Sequence, residues 1–259
     1  MIDLSNEAYH ADLTALSSSS LKLLLKDPAA FKARYIDGIK EAEEEKTAFV
    51  DGTLTHALIL EPETVVNYAV FPGLRKAGNL WEKFKLDNSS KICISAAQML
   101  KAEKLYKAHA ALDVANSLIR NGFPEHNMRG KLHDLAVKAR ADYIVPKEYI
   151  VDVKTTSMPS DIEVFKQTVI DYGYHLSAAL YVDIAEQVYG YKHDFYWEVL
   201  SKDDGQCHVY KASEETLYKG RALVNQALLL YKTCAKTSIW TSGRPTVDRS
   251  TVAYEIEEV

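Results

Sequence analysis

The stretch KARADYIVPKEYIVDVKTT, residues 138–156, decides the fold. Two runs rich in β-branched and aromatic residues, 135–145 and 149–153, flank Pro146-Lys147-Glu148, which reads as a hairpin loop. Side chains in a strand alternate faces, so Asp152 and Lys154 share one face while Val151 and Val153 share the other. By the same parity Lys138, Arg140 and Asp142 line one face of the preceding strand. Ten residues separate Asp142 from Asp152, room for two short strands and a tight loop. Closing that hairpin lets the two carboxylates approach each other.

Two carboxylates forced together repel, and one pKa rises unless a cation neutralises them. A hard ion such as Mg²⁺ does this well, taking oxygen ligands from one or two carboxylates and from substrate phosphate. A lysine two residues beyond a ligand, here Lys154, is placed to orient a water and to stabilise negative charge developing on phosphorus. Arg140 and Lys138 would add phosphate contacts leading to the metal. The competing reading is a plain salt bridge between Asp152 and Lys154 on a solvated strand. Against it stands the density of charge: D-V-K-T-T follows an apolar Tyr-Ile-Val run, where a strand is otherwise core-like.

Further out lies His56, in the segment DGTLTHALIL (51–60). Gly52 and His56 are four residues apart and share a helical face. Gly52 allows close approach to that face. The other faces are apolar, so the helix is expected to be buried, with His56 pointing into a cleft or the core. A hydrogen-bonded core histidine and a metal ligand both fit that position.

The rest of the chain supplies the frame. A serine at Ser20 or earlier caps a helix through Leu25, and Asp27-Pro28 opens another over Ala29–Tyr35. The acidic run Glu41–Glu45 reads as a solvated loop. Helix follows over Phe49–Leu60, a strand over Tyr68–Phe71, and a loop over Gly73–Gly78 carrying Arg75 and Lys76. Lys91–Ile94 alternates like a strand. Ser95 caps a helix to about His109, and Asp113 caps the next, ending near Asn121-Gly122. Beyond the hairpin, helix is expected over Asp161–Gln187. Strands follow over Asp194–Leu200 and Cys207–Lys211, then a helix from the Ser213 cap to about Ala235, and a loose tail from Ser242. The order implies one domain over 1–259. It would have a helical part (15–122), a β-rich core (123–211), a C-terminal helix (213–236) and the tail: an α/β fold with a central mixed β-sheet flanked by helices.

Composition narrows the function classes. Over 259 residues, 47% hydrophobic and 26% charged residues are ordinary for a folded protein and rule out disorder over most of the chain. No run of about 18 apolar residues occurs, so no membrane span is expected. The start, MIDLSNEAYHAD (1–12), is unlike a secretory signal. Cys93, Cys207 and Cys234 are scattered, without a CxxC pair, which argues against a zinc ribbon and for a reduced, cytoplasmic setting. The net charge of −5 disfavours wrapping nucleic acid by bulk charge but leaves room for a local basic groove.

The ordered set G-x-x-x-H on an early helix, R-x-D, then apolar-D-V-K-T-T resembles the PD-(D/E)xK nuclease superfamily. Within it the likeness is to RecE-type (exonuclease VIII-like) exodeoxyribonucleases, relatives of the lambda-type and RecB-type nuclease domains. It extends to the opening serine-rich helix pair with Asp27-Pro28, the Arg75-Lys76…Trp81 stretch, Glu125 and YHLSAALY (174–181), covering roughly residues 15 to 200. The resemblance implies a restriction-endonuclease-like or lambda-exonuclease-like core holding one or two Mg²⁺ or Mn²⁺ ions. His56, Asp142, Asp152 and the Val153 backbone carbonyl would be metal ligands, Glu125 a supporting carboxylate, and Lys154 the catalytic lysine. Arg34, Arg75, Lys76, Lys138, Arg140, Ser20, Ser177 and Tyr181 are candidates for substrate contact. One departure stands out: family members carry Q-x-x-x-Y after the lysine, and here Ser177 precedes Tyr181 by four residues. The implied activity is 5′-strand resection at ends of double-stranded DNA, for recombination or repair in a phage or bacterial setting. A ring-shaped trimer or tetramer and a single-strand annealing partner would accompany it. An endonuclease, or a DNA-end binder without turnover, remains as an alternative.

Overall fold

The computed structural model describes residues 5–39, 47–241 and 256–258. The acidic run Glu41–Glu45 and most of the tail from Ser242 lie outside the described residues. The helical first part contains α1 (Asn6–Ala11), α2 (Ser18–Lys26), α3 (Pro28–Phe31) with a π-helical turn after it, and α4 (Thr47–Leu60). A small unit follows: β1 (Tyr68–Phe71), α5 (Gly78–Asp87) and β2 (Ile92–Ser95), with β1 and β2 parallel. Then come α6 (Ala96–Ala111) and α7 (Asp113–Leu118). The main sheet runs β3 (Phe123–Leu132), β4 (Leu135–Val145), β5 (Tyr149–Thr156), β6 (Asp194–Ser201), β7 (Cys207–Ala212) and β8 (Ile256–Glu258), neighbours in that order. Between β5 and β6 the chain crosses over through α8 (Ile162–Asp171) and α9 (Tyr174–Tyr189), so this pair is parallel, while the other described pairs of the main sheet are antiparallel. The last helix, α10 (Glu214–Thr237), follows β7.

The sheet is covered on both faces. One core joins Leu21 of α2, Phe165 of α8, Leu176 and Leu180 of α9 and Leu228 of α10 to Ile144, Ile150, Phe195 and Trp197. The other joins Ile59 of α4, Leu105 of α6 and Leu118 of α7 to Tyr143, Val151, Val153, Leu200 and Val209. Ile150 enters the first core and Val151 and Val153 the second, as strand alternation requires. A strand buried on both faces is a stiff support, since each apolar side chain contributes about 2 kcal/mol on burial. Among the described residues, no helix is long and apolar enough to cross a membrane.

Several expectations needed correction. The serine cap expected at Ser20 or earlier is Ser17, and the two serines form a reciprocal capping box. The helix expected over Ala29–Tyr35 is α only to Phe31. Asp113 is the first helical residue of α7 rather than its cap. The helix expected over Asp161–Gln187 is two, divided at Gly173, whose φ of 60° is cheap only for glycine. The strand β3 and the helices α1 and α5 were not foreseen. β3 reads FPEHNMRGKL, with proline, glycine and little alternation, a pattern tolerated because it is an edge strand. In the tail, Ile256–Glu258 pairs with β7 instead of hanging loose.

Candidate active site

The site forms where β4 loosens from both neighbours. The β3–β4 register passes from Pro124↔Tyr143 to His126↔Ala141, leaving Glu125 and Asp142 opposite each other. Glu125 has a φ of 48°, left-handed for a non-glycine residue, and Arg140 Nε holds its carboxylate at 2.7 Å. On the other side the β4–β5 ladder reaches Tyr143↔Val151. Beyond that pair the Val153 N–H donates to Asp142 Oδ2 at 2.8 Å, so a side-chain carboxylate takes the backbone donor. Core membership changes phase at the same place. Val137, Ala139 and Ala141 belong to one core, whereas Tyr143 and Val145 belong to the other. The single face expected to carry Lys138, Arg140 and Asp142 is therefore interrupted at Asp142.

Helix α4 supplies the histidine. The Asp51 carboxylate accepts a hydrogen bond from Gln98 of α6 at 2.9 Å, fixing the early part of the helix. A Cβ at Gly52 would meet Thr155 Oγ1 at 3.5 Å, so the helix lies against β5 there. One turn later His56 Nδ1 stands 3.7 Å from Asp142 Oδ2. Ligand atoms of His56, Glu125 and Asp142 all lie within 4.8 Å of one another. Two carboxylates and one imidazole, partly open to solvent, suit a hard divalent cation. The Asp142 carboxyl supports this: burial, and next the Asp152 charge, push it up to about 6, with His56 and Lys154 opposing. The cluster is thus short of positive charge.

Beside it, Lys154 Nζ pairs with Asp152 Oδ2 and lies over the Tyr174 ring, 5.1 Å from its centroid. Burial favours the neutral amine, but Asp152 and Asp142 outweigh it and hold Lys154 above the ordinary lysine range. Asp152 sits next to the three-residue cluster with its carboxylate engaged by Lys154, and Glu125, expected as a supporting carboxylate, lies within the cluster. Val153 enters through its N–H as the donor to Asp142. Burial raises the Tyr181 phenol well above the usual range, with nearby Ser18 opposing. Ser177 is buried on α9.

Other candidates lie elsewhere. Lys138 directs its ammonium to the Tyr9 and Asp12 carbonyls, the latter at 2.6 Å, and sits over the Tyr9 ring. Its pKa falls to about 8, from burial and then Arg129. It ties the α1 segment to β4 rather than facing the cluster. The Ser20 hydroxyl is engaged within the α2 cap, donating to the Ser17 carbonyl at 2.8 Å and accepting from the Ser17 N–H at 2.9 Å. Arg75 and Lys76 lie in the exposed loop between β1 and α5, with Lys76 over the Trp81 ring at 5.5 Å. Arg34 is exposed on the π-helical turn, over Tyr35. Sequence reading missed Lys22, whose ammonium lies 5.4 Å from the Tyr174 centroid. Its signal was faint: a lysine in an amphipathic helix reads as solvated.

Comparison with known proteins bears on the fold and the family. No curated protein matches the chain in sequence. Among solved structures, that of a "putative exonuclease" from Eubacterium rectale superposes with a TM-score of 0.66 at 18% identity, covering 90% of this chain and 88% of its own. The structure of SSO0001 covers 97% of this chain and 90% of its own at 10% identity, with a TM-score of 0.36. The family model described as a PDDEXK-like domain of unknown function (DUF3799) matches residues 17–244. With most of its length matched, the chain belongs to that PDDEXK-like family.

Proposed function

We propose that this protein is a divalent-metal-dependent deoxyribonuclease that hydrolyses phosphodiester bonds at the ends of duplex DNA, resecting the 5′ strand. The observation that carries the reading is the convergence of His56, Glu125 and Asp142 beside the Lys154–Asp152 pair. The donor set fits Mg²⁺ or Mn²⁺, which His56, Glu125 and Asp142 would hold with Asp152 adjacent. The bound ion supplies Lewis acidity toward the scissile phosphate and acidifies water. The Asp142 carboxylate is oriented by the Val153 N–H, which fixes one donor oxygen. Arg140 holds Glu125 in its strained backbone position. Lys154, kept charged by Asp152 and Asp142, orients the attacking water and offsets charge growing on the phosphate oxygens.

The preference for ends, the 5′ polarity, an oligomeric ring, a place in recombination and an annealing partner all draw on the likeness to RecE-type enzymes, and a cytoplasmic setting on the scattered cysteines. A ring reconciles the net charge of −5 with DNA binding, by lining a channel with basic groups and leaving acidic ones outside. Digestion of 5′-labelled and 3′-labelled linear duplex, beside covalently closed circles, tests the reading. Early release of 5′-terminal label with circles intact is the expected result. Nicking of the circles would make the enzyme an endonuclease. Stable binding to ends without turnover would make it an end-binding protein, a reading to which Ser177 in place of the family glutamine lends weight.

A further inference from the structure

The Tyr174 ring at the start of α9 has two ammonium neighbours. Lys154 Nζ lies 5.1 Å from its centroid and Lys22 Nζ of α2 lies 5.4 Å from it. The stem of Lys22 is packed, since a Cβ at Gly173 would meet its Cδ and Cε at 3.6 Å. The head group is therefore delivered to the site rather than swinging in solvent. Other lysines have oxygen partners: Lys154 has Asp152, Lys219 has Glu215, and Lys138 has two carbonyls. Among the described residues no carboxylate or carbonyl pairs with Lys22, whose ammonium meets an aromatic face and the field of another ammonium. Burial first, then the Lys154 charge, lower its pKa to about 8, against a smaller pull from Asp152. A packed cation beside a second cation is stabilised by an anion brought from outside.

We propose that Lys22 is a substrate-binding residue that grips a backbone phosphate of the DNA strand next to the scissile one. The proposal rests on the nuclease reading, and it names the chemical group that fills this corner of the site. Lys154 is held on Asp152 for the reacting phosphate. Lys22, over the same Tyr174 ring and engaged by no carboxylate among the described residues, is free for a neighbouring one. The neighbouring phosphate would neutralise the Lys22 ammonium, and the Tyr174 ring would fix its direction.

The test measures binding of a fluorescent linear duplex in EDTA, where cleavage is silent, across a range of salt concentrations. Lys22→Met keeps the packed stem and removes the charge. It is expected to weaken binding about tenfold, the cost of one charge-assisted hydrogen bond. It should also reduce the slope of log K against log salt by about 0.9, one phosphate contact. Lys22→Arg restores the slope. With Mg²⁺ present, Lys22→Met should raise KM more than it lowers kcat. An unchanged salt slope in folded Lys22→Met, alongside a wild type that binds and cuts, overturns the role of Lys22 alone. A wild type that neither binds nor cuts duplex DNA overturns the nuclease reading and this proposal with it.

Discussion

Two histidine–carboxylate pairs sit on opposite sides of β5, and they differ in what surrounds them. His109 of α6 and Glu198 of β6 meet at 2.7 Å, with side chains 6% and 0% exposed. Cys207 Sγ lies 3.5 Å from the same carboxylate oxygen, and burial, then Glu198, push its thiol above the usual range. His56 and Asp142 stand 3.7 Å apart, 25% and 17% exposed, with Glu125 and Asp152 adding negative charge beside them. The first pair is closed: the imidazole meets its acid directly in a dry core. The second is open: imidazole and acids leave ligand atoms turned toward a common point. Residue type alone does not distinguish the two histidines, whereas the count of nearby carboxylates does.

The largest effect that separates the two pairs is on turnover. Lys154→Ala should lower cleavage of linear duplex about 100- to 1,000-fold, the usual loss when a charge-stabilising group is removed, while far-ultraviolet circular dichroism stays unchanged. His109→Ala should leave turnover per folded molecule intact. Cleavage lost in His109→Ala but kept in Lys154→Ala would reverse the assignment.

Stability should show the opposite pattern. Removing one partner of the buried His109–Glu198 pair leaves a carboxylate without its hydrogen bond, a loss of about 3 kcal/mol in denaturant titration. His56→Ala should change stability by no more than about 1 kcal/mol, as the pair it leaves is partly solvated and not hydrogen-bonded.

Ligand linkage sharpens the contrast further. At about 100 times its dissociation constant, Mg²⁺ or Mn²⁺ should stabilise the wild type by about 2.7 kcal/mol. A thermal melt of His109→Gln should keep that gain and one of His56→Ala should lose most of it. Equal metal shifts in both would remove the distinction.

The smallest effect is on pH. Asp142 has a folded pKa of about 6, raised from 3.8, so the folded state binds the extra proton between those values. Its contribution to stability is fully present below pH 3.8 and is lost as pH rises through about 6 in metal-free protein. Melts of wild type and Asp142→Asn over this window should diverge, with the wild type losing stability relative to the variant as pH rises. Parallel curves would mean that Asp142 ionises normally.

Much of this was legible in the sequence because the central hairpin follows local rules. Alternation, the Pro146-Lys147-Glu148 loop and the ten-residue interval together place Asp142 near Asp152. What was not legible depends on long-range geometry. The resemblance named Glu125 as a supporting carboxylate, but its place beside His56 and Asp142 depends on an edge strand without apolar alternation that pairs with β4 and turns left-handed at that residue. Lys138 looked like a phosphate contact, but the unforeseen α1 segment reaches β4 and takes its ammonium. Lys22 was hidden because nothing in KLLLK marks one lysine as facing α9 rather than water.

In the proposed mechanism Asp142, with Glu125 and His56, makes a divalent-ion site for phosphodiester hydrolysis. Nucleotide release from a labelled linear duplex, measured for wild type and Asp142→Asn across a Mg²⁺ titration begun in EDTA, tests it most directly. The account predicts release by the wild type that rises from background with Mg²⁺, and background release from the variant at every concentration. Equal release from both proteins, or wild-type release that persists in EDTA, would contradict it.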